Sequence, residues 1–161
     1  MTKNSLSQSI KKIDNITFIG EVGKMLNKEG RKSVTFTLRG YSMRPFLENG
    51  RDKAILIKPQ KPQIGQVILA EFEPKKYALH RIIKVEGNII TMRGDGSRLS
   101  QTETFTADKI VGTAIAFIRK GKRVNTTDRK WKIYSTLWKA LTPFRRILLG
   151  IHRRIIKFIN I

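Results

Sequence analysis

The sequence predicts a mainly β protein: a small barrel-like sheet domain, preceded by a short helix and followed by basic amphipathic helices. Three observations carry this expectation. Ser33-Val34-Thr35-Phe36-Thr37-Leu38 alternates polar and apolar residues in strict period two, the pattern of a half-buried strand. Further short apolar segments follow up to residue 118, each bounded by glycine, proline or asparagine turn signals. After residue 128 the apolar period changes from two to that of a helix.

Taken in order, residues 1–15 are polar. Residues 16–29 read as a short amphipathic helix, because Phe18, Ile19, Val22, Met25 and Leu26 recur at helical spacing and Gly30 supplies a stop. Gly20 and Gly23 weaken it. Residues 1–32 therefore form an N-terminal tail and helix. Six strands are expected over 33–38, 53–57, 66–72, 77–85, 89–93 and 110–118, which makes residues 33–118 the β domain. Residues 119–128 read as a basic linker. In 129–142, Trp131, Tyr134, Leu137, Trp138 and Leu141 share a helical face; Pro143 interrupts, and 144–161 continue with a stripe of Phe144, Ile147, Leu148, Ile151, Ile155, Phe158 and Ile159. Residues 119–161 thus make a third segment, a linker and helical tail.

Charge narrows the partners. The 161 residues carry 33 Lys+Arg against 12 Asp+Glu, a formal net charge of +21. Such a field favours anionic partners, nucleic acid or the acidic face of a bilayer. The absence of cysteine removes disulfides, zinc ribbons and thiol catalysis. No metal or cofactor is expected. The apolar run Ile16-Thr17-Phe18-Ile19 is too short for a secretory signal, and no stretch reaches the roughly 18 apolar residues of a spanning helix. From Lys120 onward there are 12 Lys+Arg and one acid, Asp128. This tail is expected to lie in an anionic membrane interface through residues 129–161, placing the protein peripherally at the inner face of the cytoplasmic membrane. Two other readings stay open: phosphate contacts to nucleic acid, for which no recognition helix or aromatic signature speaks, and helices packed on the domain with their charges solvated.

The chemistry concentrates in two places. Gly40-Tyr41-Ser42-Met43-Arg44-Pro45 puts a hydroxyl on a constrained turn after a strand. Leu79-His80-Arg81-Ile82 puts one of two histidines on another strand. A serine hydroxyl is a weak nucleophile near neutrality and needs a base in hydrogen-bond reach; imidazole, with an ordinary pKa of about 6.5, suits that role. Gly40 lets the backbone turn sharply and leaves the Ser42 amide free to donate to an oxyanion. Taken alone, such a serine segment is more often a plain turn, and a lone histidine on an apolar strand more often a satisfied core residue.

Together they resemble the signal peptidase I and LexA-like serine peptidase superfamily. Its Gly-x-Ser-Met-x-Pro nucleophile box is matched by residues 40–45. Its following Gly-Asp is matched by Gly50-Arg51-Asp52 with one residue inserted, and its Gly-Asp-Ile-Val strand by Gly65-Gln66-Val67-Ile68, with Gln for Asp. His80-Arg81-Ile82-Ile83 is similar to the histidine-containing, endoplasmic-reticulum and archaeal-type branch, Arg93-Gly94-Asp95-Gly96 to the second Gly-Asp box, and Ile110-Val111-Gly112 to the closing strand. The resemblance covers roughly residues 34–118.

The resemblance implies a LexA/signal-peptidase β domain and a serine endopeptidase that cleaves peptides or preproteins through an acyl-enzyme. Ser42 would be the nucleophile and His80 the base. That branch carries a further aspartate soon after the second box, but here none appears before Asp108. The third member is left open: Asp95 is taken first and Glu103 second, beside a plain Ser–His dyad. Arg81 would either position substrate, brace the site against a carboxylate or be solvated. The alternative function is a non-catalytic cationic membrane- or nucleic-acid-binding protein on the same fold. LexA-like self-cleavage is disfavoured, since the chain has no Ala-Gly or Cys-Gly.

Overall fold

The computed structural model describes residues 15–27 and 32–159. The polar residues 1–14, the Gly30 stop and the side chains of Phe18 and Ile19 lie outside the described set. The chain runs α1 (Asn15–Asn27), β1 (Val34–Thr37), β2 (Lys53–Ile57), β3 (Val67–Glu73), β4 (Lys76–Glu86), β5 (Ile89–Arg93), β6 (Glu103–Thr106), β7 (Ile110–Arg119), β8 (Lys122–Asn125), α2 (Arg129–Ala140) and α3 (Arg145–Ile159). Single 3-10 turns precede β7 and α3.

All eight strands form one antiparallel sheet in the order β1-β2-β7-β3-β4-β5-β6, with β8 on β7. β7 is the central strand. One of its edges pairs with β2, and the other is shared by β3 at its start and β8 at its end. The sheet curls into a half-barrel, so both faces are buried. Alternation along β3 shows this: Val67 and Leu69 enter one core with Leu56, Phe117 and Trp131, whereas Ile68 and Ala70 enter a second with Ile82, Ile90, Met92 and Phe105. α1 closes the first core with Val22 and Leu26, spaced one helical turn apart. Gly112 makes room for it. A Cβ there would come within 3.0 Å of both the Leu26 Cδ1 and the Ile57 carbonyl.

The six expected strands are present, and two more join them. β6 (Glu-Thr-Phe-Thr) is short and mostly polar, so its single buried residue, Phe105, gives little apolar signal. β8 falls within the stretch read as a linker. Lys120 and Gly121 both adopt positive φ, 48° and 77°, and fold Arg119 back onto Lys122 as a two-residue hairpin turn. The basic stretch is therefore the tip of a hairpin in the sheet.

Part of the tail, the Trp131–Tyr134–Trp138 face of α2, packs on the domain. Trp131 lies 4.9 Å from the Phe46 ring and 4.8 Å from Phe117, centroid to centroid, and Trp131, Ser135 and Trp138 are buried. For α2 the packed-helix reading holds. No helix among the described residues is long and apolar enough to cross a membrane.

Candidate active site

Ser42 stands in a short segment between β1 and β2 that is tied at many points. Gly40 adopts φ 91°, a conformation that favours glycine, and its N–H donates to Asn49 Oδ1 at 2.9 Å. The Gly50 N–H donates to the Leu38 carbonyl and the Leu38 N–H to the Asp52 carbonyl, at 2.9 and 2.8 Å. Arg44 forks onto Glu48, with contacts from 2.6 to 3.1 Å. The fully buried Asp52 carboxylate accepts from the Glu48 N–H, the Arg51 guanidinium and the Lys120 N–H. Burial alone would raise the Asp52 pKa, but these donors outweigh it and hold the carboxyl below its ordinary range. The inserted Arg51 thus supplies the cation that keeps this carboxylate ionised.

The Ser42 segment lies against the strand that carries the histidine: Ser42, Ala78 and Leu79 line one cavity. In β4 and β5, Ile82 pairs with Met92 and Arg81 with Arg93. The pairing ends there, and Gly94 follows β5 directly. Gly94 is where Ser42 docks. A Cβ on Gly94 would meet the Ser42 carbonyl oxygen and Ser97 Oγ at 2.5 Å and the Ser42 Cβ at 2.9 Å. The Gly96 N–H donates to that same Ser42 carbonyl at 2.6 Å. Glycine at 94 is therefore a steric requirement for seating Ser42 against this turn.

The third residue follows from the same geometry. Met92 pairs with Glu103 across β5 and β6, so Glu103 shares the face of Met92, Ile82 and His80. His80 Nδ1 and Glu103 Oε2 are 2.9 Å apart. Against a carboxylate, Nδ1 carries the proton and donates it, which leaves Nε2 with a lone pair. His80 is buried and Glu103 half-buried. Among the described residues, neither the Ser42 N–H nor its hydroxyl makes a hydrogen bond, so both are available to a bound ligand.

Asp95, the first choice for this role, is not at the histidine. It lies one residue past Gly94 and so on the opposite face, where it is 2 % exposed. Its carboxylate accepts from Arg81 Nε at 2.9 Å, Arg81 NH2 at 2.7 Å and the Tyr134 hydroxyl at 3.2 Å, with Arg145 NH2 3.8 Å away. Its main-chain carbonyl accepts from Trp138 Nε1 at 2.9 Å and Arg145 NH2 at 2.6 Å. Arg81 also donates to the Gly65 carbonyl and Ser135 Oγ and stacks over Trp131. Burial opposes the charge on Arg81, but the Asp95 carboxylate outweighs it and raises the guanidinium pKa. Burial, seconded by Asp95, raises the Tyr134 phenol far above its usual value. Arg81 braces the back of the strand pair that carries His80 and Gly94.

A cavity of about 150 Å³ opens at Ser42, lined by Leu38, Gly40, Met43, Leu69, Tyr77 and Leu79 among others. Met43 both lines it and belongs to the first core. Sequence reasoning placed Ser42 and His80 and ranked Glu103 second. The missed signal was the alternation of Glu103 and Phe105, which puts both on one face once β6 is recognised as a strand. No cluster of residues able to hold a metal occurs among the described residues. Compared with protein-family models and with curated proteins, the chain matches none.

Proposed function

We propose that the chain is a serine endopeptidase of the signal peptidase I type, with its half-barrel as the LexA/signal-peptidase fold, and that Ser42, His80 and Glu103 act as nucleophile, base and orienter. The observation that carries this is a division of labour at one histidine. His80 Nδ1 is engaged by Glu103, which leaves Nε2 to take a proton from Ser42, on the segment that packs against Gly94. Ser42 Oγ attacks the scissile carbonyl carbon as its proton passes to His80 Nε2. The Glu103 carboxylate faces the resulting imidazolium, and the Ser42 N–H donates to the oxyanion. Collapse breaks the C–N bond and His80 protonates the leaving amine. Water then attacks the acyl-serine by the same route, with His80 as base.

The cavity supports a peptide substrate with a small apolar residue before the cut. At about 150 Å³ it falls below the range of about 300–1,000 Å³ usual for small-molecule pockets, and Leu38, Met43, Leu69 and Leu79 line it beside Thr37, Arg39 and Glu48. The test is cleavage of a preprotein-like peptide with small residues before the bond, combined with intact-mass detection of an acyl-enzyme. Ser42→Ala and His80→Ala should each abolish turnover while leaving the circular dichroism spectrum unchanged. Wild-type turnover in either variant would remove the Ser42–His80 assignment, and no turnover by the unsubstituted chain would favour a non-catalytic binding role.

A further inference from the structure

The apolar stripe read from the sequence on α3 is not the face by which the helix packs. At about 100° per residue, Leu149 and Ile156 lie together with Arg145 and His152 on an arc turned to the protein. Arg145 and Leu149 are buried, and Ile156 lies beside Tyr41, Arg44 and Glu48, next to the segment that carries Ser42. Phe144 immediately before the helix, with Ile147, Ile151, Ile155 and Phe158 on it, falls on a separate arc of roughly 80°. All five are exposed, Ile147 at 65 % and Phe158 at 79 %. Ile133 and Leu137 on α2 and Leu141 just after it, spaced four apart, are also exposed. A helix that only had to pack on its own domain would need the first arc alone.

The charges decide what covers the second. Arg146, Arg153, Arg154 and Lys157 are exposed on α3 and occupy the arc on the far side of the apolar residues. From Arg129 to Ile159 there are nine Lys+Arg and no Asp or Glu. A second copy of this face would set like charges against each other. A nucleic acid would engage the cations and leave the apolar arc in water. We infer that the outward face of α3, with the exposed apolar residues of α2, docks on an anionic lipid bilayer. Its apolar arc enters the acyl boundary, and its cations meet lipid phosphates. The inserting residues are thus Ile147, Ile151, Ile155 and Phe158, whereas Trp131 and Trp138 stay in the domain. Docking would also hold the Ser42 segment at the membrane surface. The inference stands whether or not the protein is a peptidase.

The full chain should co-sediment with vesicles of phosphatidylcholine and phosphatidylglycerol, and much less with phosphatidylcholine alone. Ile151→Glu with Phe158→Glu should weaken that binding by about tenfold or more, with the melting temperature and any peptidase activity unchanged. Should the glutamates disturb folding, Ile147→Ser with Phe158→Ser serves the same purpose. Binding that salt abolishes but the apolar substitutions leave intact would overturn the inference. So would binding to duplex DNA alone, or a dimer that the glutamates split without any vesicle binding.

Discussion

His80 and Glu103 stand two strands apart in one sheet, and their side chains meet across the intervening β5 at 2.9 Å. Directly after β5, Gly94 lacks a side chain and leaves room for Ser42. If this carboxylate orients the imidazole, Glu103→Gln should lower kcat by about 10²- to 10⁴-fold with little change in KM. Glu103→Asp should recover part of the loss. Steady-state kinetics on a peptide substrate measure both, and wild-type kcat in Glu103→Gln would reduce the site to a dyad.

Gly94→Ala tests the packing of the serine. The added methyl meets a backbone carbonyl and the Ser42 Cβ, and neither is the yielding end of a flexible side chain. Overpacking of this kind costs about 1–3 kcal/mol. Activity should fall much further than stability. The check is turnover at a temperature where thermal unfolding shows the variant still folded.

Asp95→Asn should act on stability first. It leaves the Arg81 guanidinium buried without its charge partner, a change worth about 3–5 kcal/mol. In a chain of this size that is a drop in melting temperature on the order of 10 °C. Replacing both residues by apolar ones of similar size should restore much of the loss. A double-mutant cycle on urea midpoints separates the pair from its surroundings.

The depressed pKa of Asp52 sets part of the acid limb. Its unfolded counterpart binds a proton near pH 4, whereas the folded carboxylate resists protonation. This contribution is fully present above the unfolded pKa and is lost as pH falls through the lower folded value. Asp52→Asn should therefore be less stable at neutral pH, by about 1–3 kcal/mol for the unmatched donors, and flatter in its pH dependence below about 4. Denaturation series at pH 7, 5 and 3 check the sign.

Much of this was legible in the residues, for identifiable reasons. Strands such as 53–57 and 110–118 are apolar enough to show themselves. Ser42 and His80 stood out because a glycine- and proline-bounded serine and a scarce histidine are unusual in type and place. β6 and β8 did not, because their pairing comes from backbone hydrogen bonds on short polar segments. The choice between Asp95 and Glu103 turned on parity. Asp95 is near His80 in any reading of the turn, yet one residue past Gly94 puts it on the wrong face. The α2 aromatics look suited to an interface, and only the positions of Phe46, Phe117 and Asp95 show that the domain itself receives them.

The Asp95 carbonyl takes two donors from far along the chain, Trp138 and Arg145. Ser42, His80 and Glu103 all leave the ribosome earlier. At roughly 5–20 residues per second, several seconds can separate synthesis of the last of them from that of Arg145. During that interval the turn behind Gly94 lacks its clamp. A nascent chain stalled before α2 would hold Ser42, His80 and Glu103 without either donor to that carbonyl, so this turn is completed only by the last helices to be made.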